Sequence, residues 1–343
     1  VSDYAGTADT NNITIGRNGS NINGAASDQL ISIENSAVTL VYVDGTQGWK
    51  ATDTSSLSDV ALQPAYITAT GGTITTVCTD YKVHTFTGPG TFTVSTLGNP
   101  AGGPNSVDYM VGAGGGGGGW CIGGGGGAGG IRASSGTASG CYSAGPIASC
   151  VSALPVSVQG YSIVVGAAGA GSTGAPTPTN ATSGGGSTFS SITSAGGGFG
   201  GTYGRSGQPG GSGGGAGGWT SNPDTPGSSG GSGNTPPVSP SQGNNGGSRP
   251  INDFQSSGGG GGGATAVGTT SVTSPTRTGV APGGAGNTTV ISGTPATYGT
   301  GGNGQGDSAP AAASAAANSS GGGEGAGTDA GGNGGSGIVI IRY

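Results

Sequence analysis

Charge is scarce in this chain. Of 343 residues only 8 are Lys or Arg and 14 are Asp or Glu, giving a net charge of −6. Lysine occurs only at Lys50 and Lys82. Neutralising a phosphate backbone needs a basic surface, so nucleic acid is not expected as a partner. No stretch approaches the ~18 apolar residues of a membrane-spanning helix. The chain opens at Val1 with no charged-then-apolar leader, which reads as a processed chain or the part of a longer one. His84 is the only histidine beside four cysteines, which argues against a Cys–His zinc site. Glu34 and Glu324 are the only glutamates and the aspartates are scattered in turns, so no acid pair for glycoside hydrolysis stands out. No nucleophile–base pair emerges either, and no cofactor is expected. Aromatics make up 5% of the chain, too few for an ordinary apolar core.

Glycine is what the chain has instead: 86 glycines and 19 prolines, together 105 residues. No strict Gly-X-Y period runs through them, which excludes collagen. Disorder is the default reading of such a composition. Against it stand strand-like segments that fence the glycine: Val107–Val111 at the front and Ile338–Tyr343 at the end. A chain that leaves a sheet and returns to it needs an interior between those points. Without Cβ atoms, extended threefold helices of polyglycine II geometry can lie against one another and exchange backbone contacts. The expected fold is therefore all-β with an irregular glycine-rich body of packed polyglycine II helices.

Three regions follow. Residues 1–66 carry short β-branched runs separated by Asn18-Gly19, Asn23-Gly24 and Asp44-Gly45, turn signals of a small antiparallel module. So short a module is marginal alone, and neighbouring chains are expected to complete its core. Residues 67–111 read as a β framework, with Gly88-Pro-Gly90 turning between two strands, closed by a final strand at 337–343. Residues 112–336 are glycine rods joined by polar loops. Pro310–Ala317 reads as two helical turns capped by Ser308 or as an extended loop.

Few residues in this body carry chemistry. Gly-x-Gly-x-x-Gly matches arise by chance here and precede no helix, so they do not indicate a dinucleotide site. His84 alternates within a strand and reads as a surface or pairing position. Cys78 reads as a small core residue. Cys121, Cys141 and Cys150 cluster in one loop-rich region, either with Cys121 bridged to one of the others or as free thiols. The rare aromatics Trp120, Phe199, Tyr203, Trp219, Phe254 and Tyr298 lie in or near glycine runs. They are candidates for a paratope-like or sugar-stacking surface, or hydrophobic caps on the rods. Arg205, with Arg132, Arg249 and Arg277 in or near the loops, could bind acidic sugars or phosphates, or keep loops soluble.

Thr85–Val94, the junction from Val107–Val111 into Gly112–Gly119, the run Gly123–Gly130 and the end Gly334–Tyr343 together resemble a glycine-rich module of bacteriophage tail-fibre and adhesin proteins, especially of cyanophages and marine phages. The resemblance spans about residues 78–343, and residues 11–50 are similar to a β module of such fibres. It implies a trimeric or tip-mounted virion protein, extracellular and assembled in the host cytoplasm. Its partners would be other fibre proteins and a host cell-surface glycan or outer-membrane protein, bound non-covalently through loops, without enzymatic activity or membrane insertion. Long Pro/Ser loops and clustered cysteines depart from the pattern, so the receptor does not carry over. The alternative is a structural subunit of an extracellular filament with no specific ligand. An ice-binding protein and a depolymerase stand further back.

Overall fold

The computed structural model describes residues 1–53, 61–136, 138–140, 142–148, 151–174, 179–218, 227–250, 256–273, 278–309 and 311–343. They form two compact units.

The first unit holds residues 1–68 and 96–105. Strands β1 (Ile13–Ile15), β2 (Gln29–Ile31) and β5 (Ala61–Leu62) make one small sheet, and β3 (Thr39–Asp44) pairs with β4 (Gly48–Asp53) as a hairpin. Ala8, Ile31 and Val38 are buried, with Ile13, Ile15, Leu40 and Ala51 packed around them. Asn18-Gly19 and Asn23-Gly24 adopt positive φ at both positions, as their turn signal predicts. At the third turn the left-handed residue is Gly48 (φ 68°), not Gly45. Asp44 is the reason: its Oδ1 accepts from the amides of Thr46 at 2.8 Å and Gln47 at 2.6 Å, displacing the positive φ to the bulge beyond.

The second unit holds residues 69–95 and 106–343. Its strands begin with β6 (Thr68–Thr70), β7 (Thr73–Val77), β8 (Tyr81–Phe86), β9 (Gly90–Thr96) and β10 (Ser106–Gly112). Then come β11 (Ile131–Ala133), β12 (Leu154–Pro155), β13 (Gly160–Val164), β14 (Ser187–Phe189) and β15 (Ile192–Ser194). Short pairs β16 (Val280–Ala281), β17 (Asn287–Thr289), β18 (Ala296–Tyr298) and β19 (Gly304–Gln305) precede the closing strand β20 (Ile338–Arg342). One sheet runs β11-β10-β20-β8-β7, with β12 beside β10; another runs β15-β14-β13-β9-β6. The chain does return to its starting sheet: β10 and β20 are antiparallel, with Tyr109 opposite Ile341. Strand β20 is buried on both faces, which is why it reads Ile-Val-Ile-Ile without polar alternation.

Aromatics from both sheets fill the space between them. Phe92 meets His84 edge-on at 5.1 Å, Phe189 at 6.0 Å and Tyr343 at 6.2 Å between ring centroids. His84, read from the sequence as a surface or pairing position, is fully buried and paired at both ring nitrogens. Its Nδ1 lies 2.7 Å from the Gly71 carbonyl, which can only accept, so that nitrogen carries the proton. Nε2 then accepts from the Tyr343 hydroxyl at 3.2 Å. Burial lowers the His84 pKa, outweighing the Gly71 bond, so the ring is held neutral. On the sheet's other face Val83, Met110, Ile338 and Ile340 pack against Ile131 and Ile291.

That outer face also buries an unusual polar pair. Asp108 and Arg342 are cross-strand neighbours. The Asp108 carboxylate accepts from the Ser134 and Ser139 hydroxyls, both at 2.7 Å, and from the amides of Ala138 and Ser139. The Arg342 guanidinium lies over the rings of Tyr81 and Tyr142, 4.8 and 4.9 Å from their centroids. Cys78 departs from expectation: it is exposed on the β7–β8 turn with φ 50°.

Between β10 and β20 the glycine runs pack as rods. In the rod 113–119, the amides of Gly114 and Gly117 donate to Gly185 and Thr182, those of Gly115 and Gly118 to Gly335 and Gly332, and those of Gly116 and Gly119 to Gly127 and Gly124. Its carbonyls accept from Gly197 and Gly200, from Gly169 and Ser172, and from Gly323 and Ala326 in the same rotation. Each neighbour recurs every third residue, as a threefold helix requires. This rod therefore has six bonded neighbours, at 2.8–3.0 Å. The three that receive its amides run antiparallel to it and the three that donate run parallel. Rod 123–130 is bonded in the same rotation to 113–119, 195–201, 212–218, 257–263, 299–305 and 320–326. Only glycine permits this spacing: a Cβ on Gly115, Gly117 or Gly118 would lie 1.9 Å from a neighbouring carbonyl oxygen. Residues 311–317 form no helix; Ala313 and Ala315 bond to Glu324 and Asn333 as one more extended pass.

Candidate binding face

The rods alternate in direction, so their connections fall at two ends. Rod 113–119 leaves the sheet at Gly112, reverses at Trp120–Ile122 and returns as 123–130 into β11. Rods 166–172, 195–201 and 320–326 run parallel to the first, and 182–186 and 331–337 antiparallel to it. One end is thus closed by the β sandwich. The other presents Trp120–Ile122, Thr173–Gly174, Thr202–Ser206, Gly306–Ala309 and Gly327–Ala330 among the described residues. The reversal at Cys121 (φ 56°) and Ile122 (φ 60°) is strained for a β-branched residue. Bonds from the Ile122 amide to Gly327 O and from the Gly218 amide to Ile122 O, both 2.8 Å, hold it.

The candidate residues divide between these ends. Trp120, Tyr203 and Arg205 lie in loops of the loop end, and Phe199 sits two residues before rod 195–201 finishes there. Tyr298 does not join them. It is in β18, half-buried against the apolar cluster of the sheet end, where burial raises its pKa. Arg249 is buried, its backbone paired with Ser228, so it is no loop cation; Arg132 is half-buried in β11. Trp219, Phe254, Arg277, Cys141 and Cys150 lie outside the described residues. Cys121 is a free, half-buried thiol whose pKa is raised by burial and then by Asp307.

Phe199 and Arg205 share a depression of about 330 Å³, lined also by Asn180, Thr202, Ser206 and Gln208. The backbone beneath is fixed. Thr202 O accepts from the Arg205 amide, Arg205 O from Gly217, and Phe199 O from Gln208, at 2.8–3.0 Å. The Ser206 hydroxyl accepts from the Ser229 amide at 3.1 Å. The ring, guanidinium, amides and hydroxyls thus sit on a rigid base. Sequence reasoning found Phe199 and Arg205 because each interrupts glycine. Asn180, Thr202, Ser206 and Gln208 are too ordinary in this composition to stand out. No group of three or more His, Cys, Asp or Glu side chains able to hold a metal occurs among the described residues. No described helix is long and apolar enough to cross a membrane.

Residues 87–343 match the glycine-rich domain family, which spans the rods and both fencing strands. The chain belongs to that family. No curated protein and no solved structure matches it. The glycine-rich domain therefore takes in the whole loop end and leaves out most of the first unit.

Proposed function

We propose that this glycine-rich chain is an attachment subunit of the virion tail-fibre or adhesin type, binding a polysaccharide or outer-membrane protein of a cell non-covalently through its loop end. One observation carries the reading: one end of the rod lattice is closed by an apolar sandwich, while the other holds Trp120, Tyr203 and Arg205 on short, backbone-anchored loops and Phe199 in the last turn of a rod. A stiff lattice presents these loops with little entropy left to lose on binding. Copies of the subunit acting together would add avidity. The first unit supports such association, since Val41, Tyr42, Val43 and Trp49 of its hairpin are exposed beside a small apolar cluster around Ala8, Ile31 and Val38. Whole-cell and glycan-array binding of the full chain tests the reading. Tyr203→Ala and Trp219→Ala should weaken adhesion by about tenfold or more. Binding to no cell or glycan, together with growth into long filaments, would favour the structural-filament alternative.

A further inference from the structure

The depression around Phe199 has a composition that selects among ligands. In rod 195–201 the same rotational position recurs every third residue. At Gly196 a Cβ would lie 1.8 Å from the Gly184 carbonyl oxygen; one turn further the chain carries Phe199, partly exposed. The rod that excludes side chains along its length thus opens at its end to admit a phenyl ring. Asn180, Gly201, Thr202, Ser206 and Gln208 also line the depression, four of them with polar side chains. Arg205 is the only charged residue in the lining, and no carboxylate is among it. In a chain of net charge −6 this is a local reversal of sign.

We infer that this depression binds a pyranose ring bearing a carboxylate, a uronic-acid type of sugar. The ring's apolar face would lie on Phe199, its hydroxyls would meet Asn180, Thr202, Ser206 and Gln208, and its carboxylate would meet the Arg205 guanidinium. A single guanidinium matches one carboxylate bidentately. A phosphate group, with more charge and three oxygens, would draw further cations, which the lining lacks. The inference rests on the attachment reading only in taking a cell-surface glycan as the source of that sugar.

Ligand-observed NMR titrations on the full chain test it with methyl β-D-glucuronide and methyl β-D-glucoside, which differ only in carboxylate against hydroxymethyl. At low salt the glucuronide should bind about tenfold more tightly, which corresponds to about 1.4 kcal/mol. The preference should narrow in 1 M salt, because Arg205 is exposed. Arg205→Gln should abolish the preference while leaving glucoside binding in place. Phe199→Leu, which keeps an apolar side chain but removes the ring, should weaken both sugars. Equal affinities in the native chain, or a preference that survives Arg205→Gln, would overturn the assignment, as would tighter binding of glucose 6-phosphate than of the glucuronide. Cell adhesion that persists after such a failure leaves attachment standing by another part of the face. A sugar-acid preference without adhesion to any cell overturns attachment alone.

Discussion

Replacing Gly118 by alanine isolates the packing on which the second unit depends. The new methyl would lie 1.9 Å from the carbonyl oxygen of Glu324. Ordinary contact begins near 3.5 Å, so rods 113–119 and 320–326 must part by roughly 1.6 Å. Two bonds join them: Gly323 N to Gly116 O at 3.0 Å and Ala326 N to Gly119 O at 2.8 Å. Both would stretch beyond the range of a hydrogen bond. Rod 320–326 has no room to retreat, because Gly322 and Gly325 bond it at 2.9 and 2.8 Å to Thr300 and Asn303 on another side. Two amides and two carbonyls would be left unmade in the interior, which costs roughly 4–12 kcal/mol. Alanine's lower entropy in the unfolded chain offsets about 0.4–1 kcal/mol of that.

The control is Gly88→Ala. Gly88 has nothing within 4 Å of an added Cβ and no positive φ. Its substitution should leave stability unchanged or slightly raised. Thermal unfolding followed by circular dichroism or dye binding should then separate the variants by roughly 6 °C or more, at 2–4 °C per kcal/mol for a unit of this size. A Gly118→Ala protein that melts within about 2 °C of Gly88→Ala would mean the runs are not close-packed, and the account of the interior would fail.

Three further outcomes follow from the buried groups. His84 is held neutral in the fold, so protons bind the unfolded chain more readily below its ordinary pKa; the thermal midpoint should fall from pH 7 to pH 5, by up to about 1.4 kcal/mol per pH unit, and flatten in His84→Gln. A midpoint flat across that range would refute the neutral-core assignment; the lowered Asp3 carboxylate acts only in a lower window, below its ordinary 3.8. Asp108→Asn should destabilise by about 2–4 kcal/mol, since an amide group would face donors that now meet a carboxylate, and equilibrium unfolding would show no change if those bonds contribute nothing. A maleimide at pH 7 should modify Cys78, exposed on its turn, well before Cys121, whose thiolate is disfavoured by burial and Asp307; peptide mapping that finds the reverse order would contradict the packing at the reversal.

Much of the architecture was legible because it depends on what glycine lacks. The strand fences, the Gly88-Pro-Gly90 turn and the return of β20 to β10 follow from local pattern. The rods follow from composition alone. Which rod lies beside which does not, because neighbouring glycines are identical and no side chain encodes the register. Strand alternation and neighbouring loops do not reveal the burial of His84 and Arg249, which partners distant in sequence decide, such as Tyr343 for His84, while Cys78 falls on the turn that ends its strand and is exposed.

Of the two roles the sequence offers its aromatics, Tyr298 takes the hydrophobic cap, for a reason the sequence contains. Passes alternate in direction, so the end at which a flanking residue emerges depends on whether it precedes or follows an outward rod. Trp120 follows 113–119 and Tyr203 follows 195–201, both outward passes, and both reach the loop end. Tyr298 precedes 299–305, which is antiparallel to the returning rod 123–130 and hence outward, so it stays at the sheet end. Reading each glycine run as one pass and counting direction from β10 separates the aromatics of the loop end from those of the sheet end. The same count explains why Phe199 and Arg205 can share a depression: one lies in the last turn of an outward pass, the other in the loop that follows it.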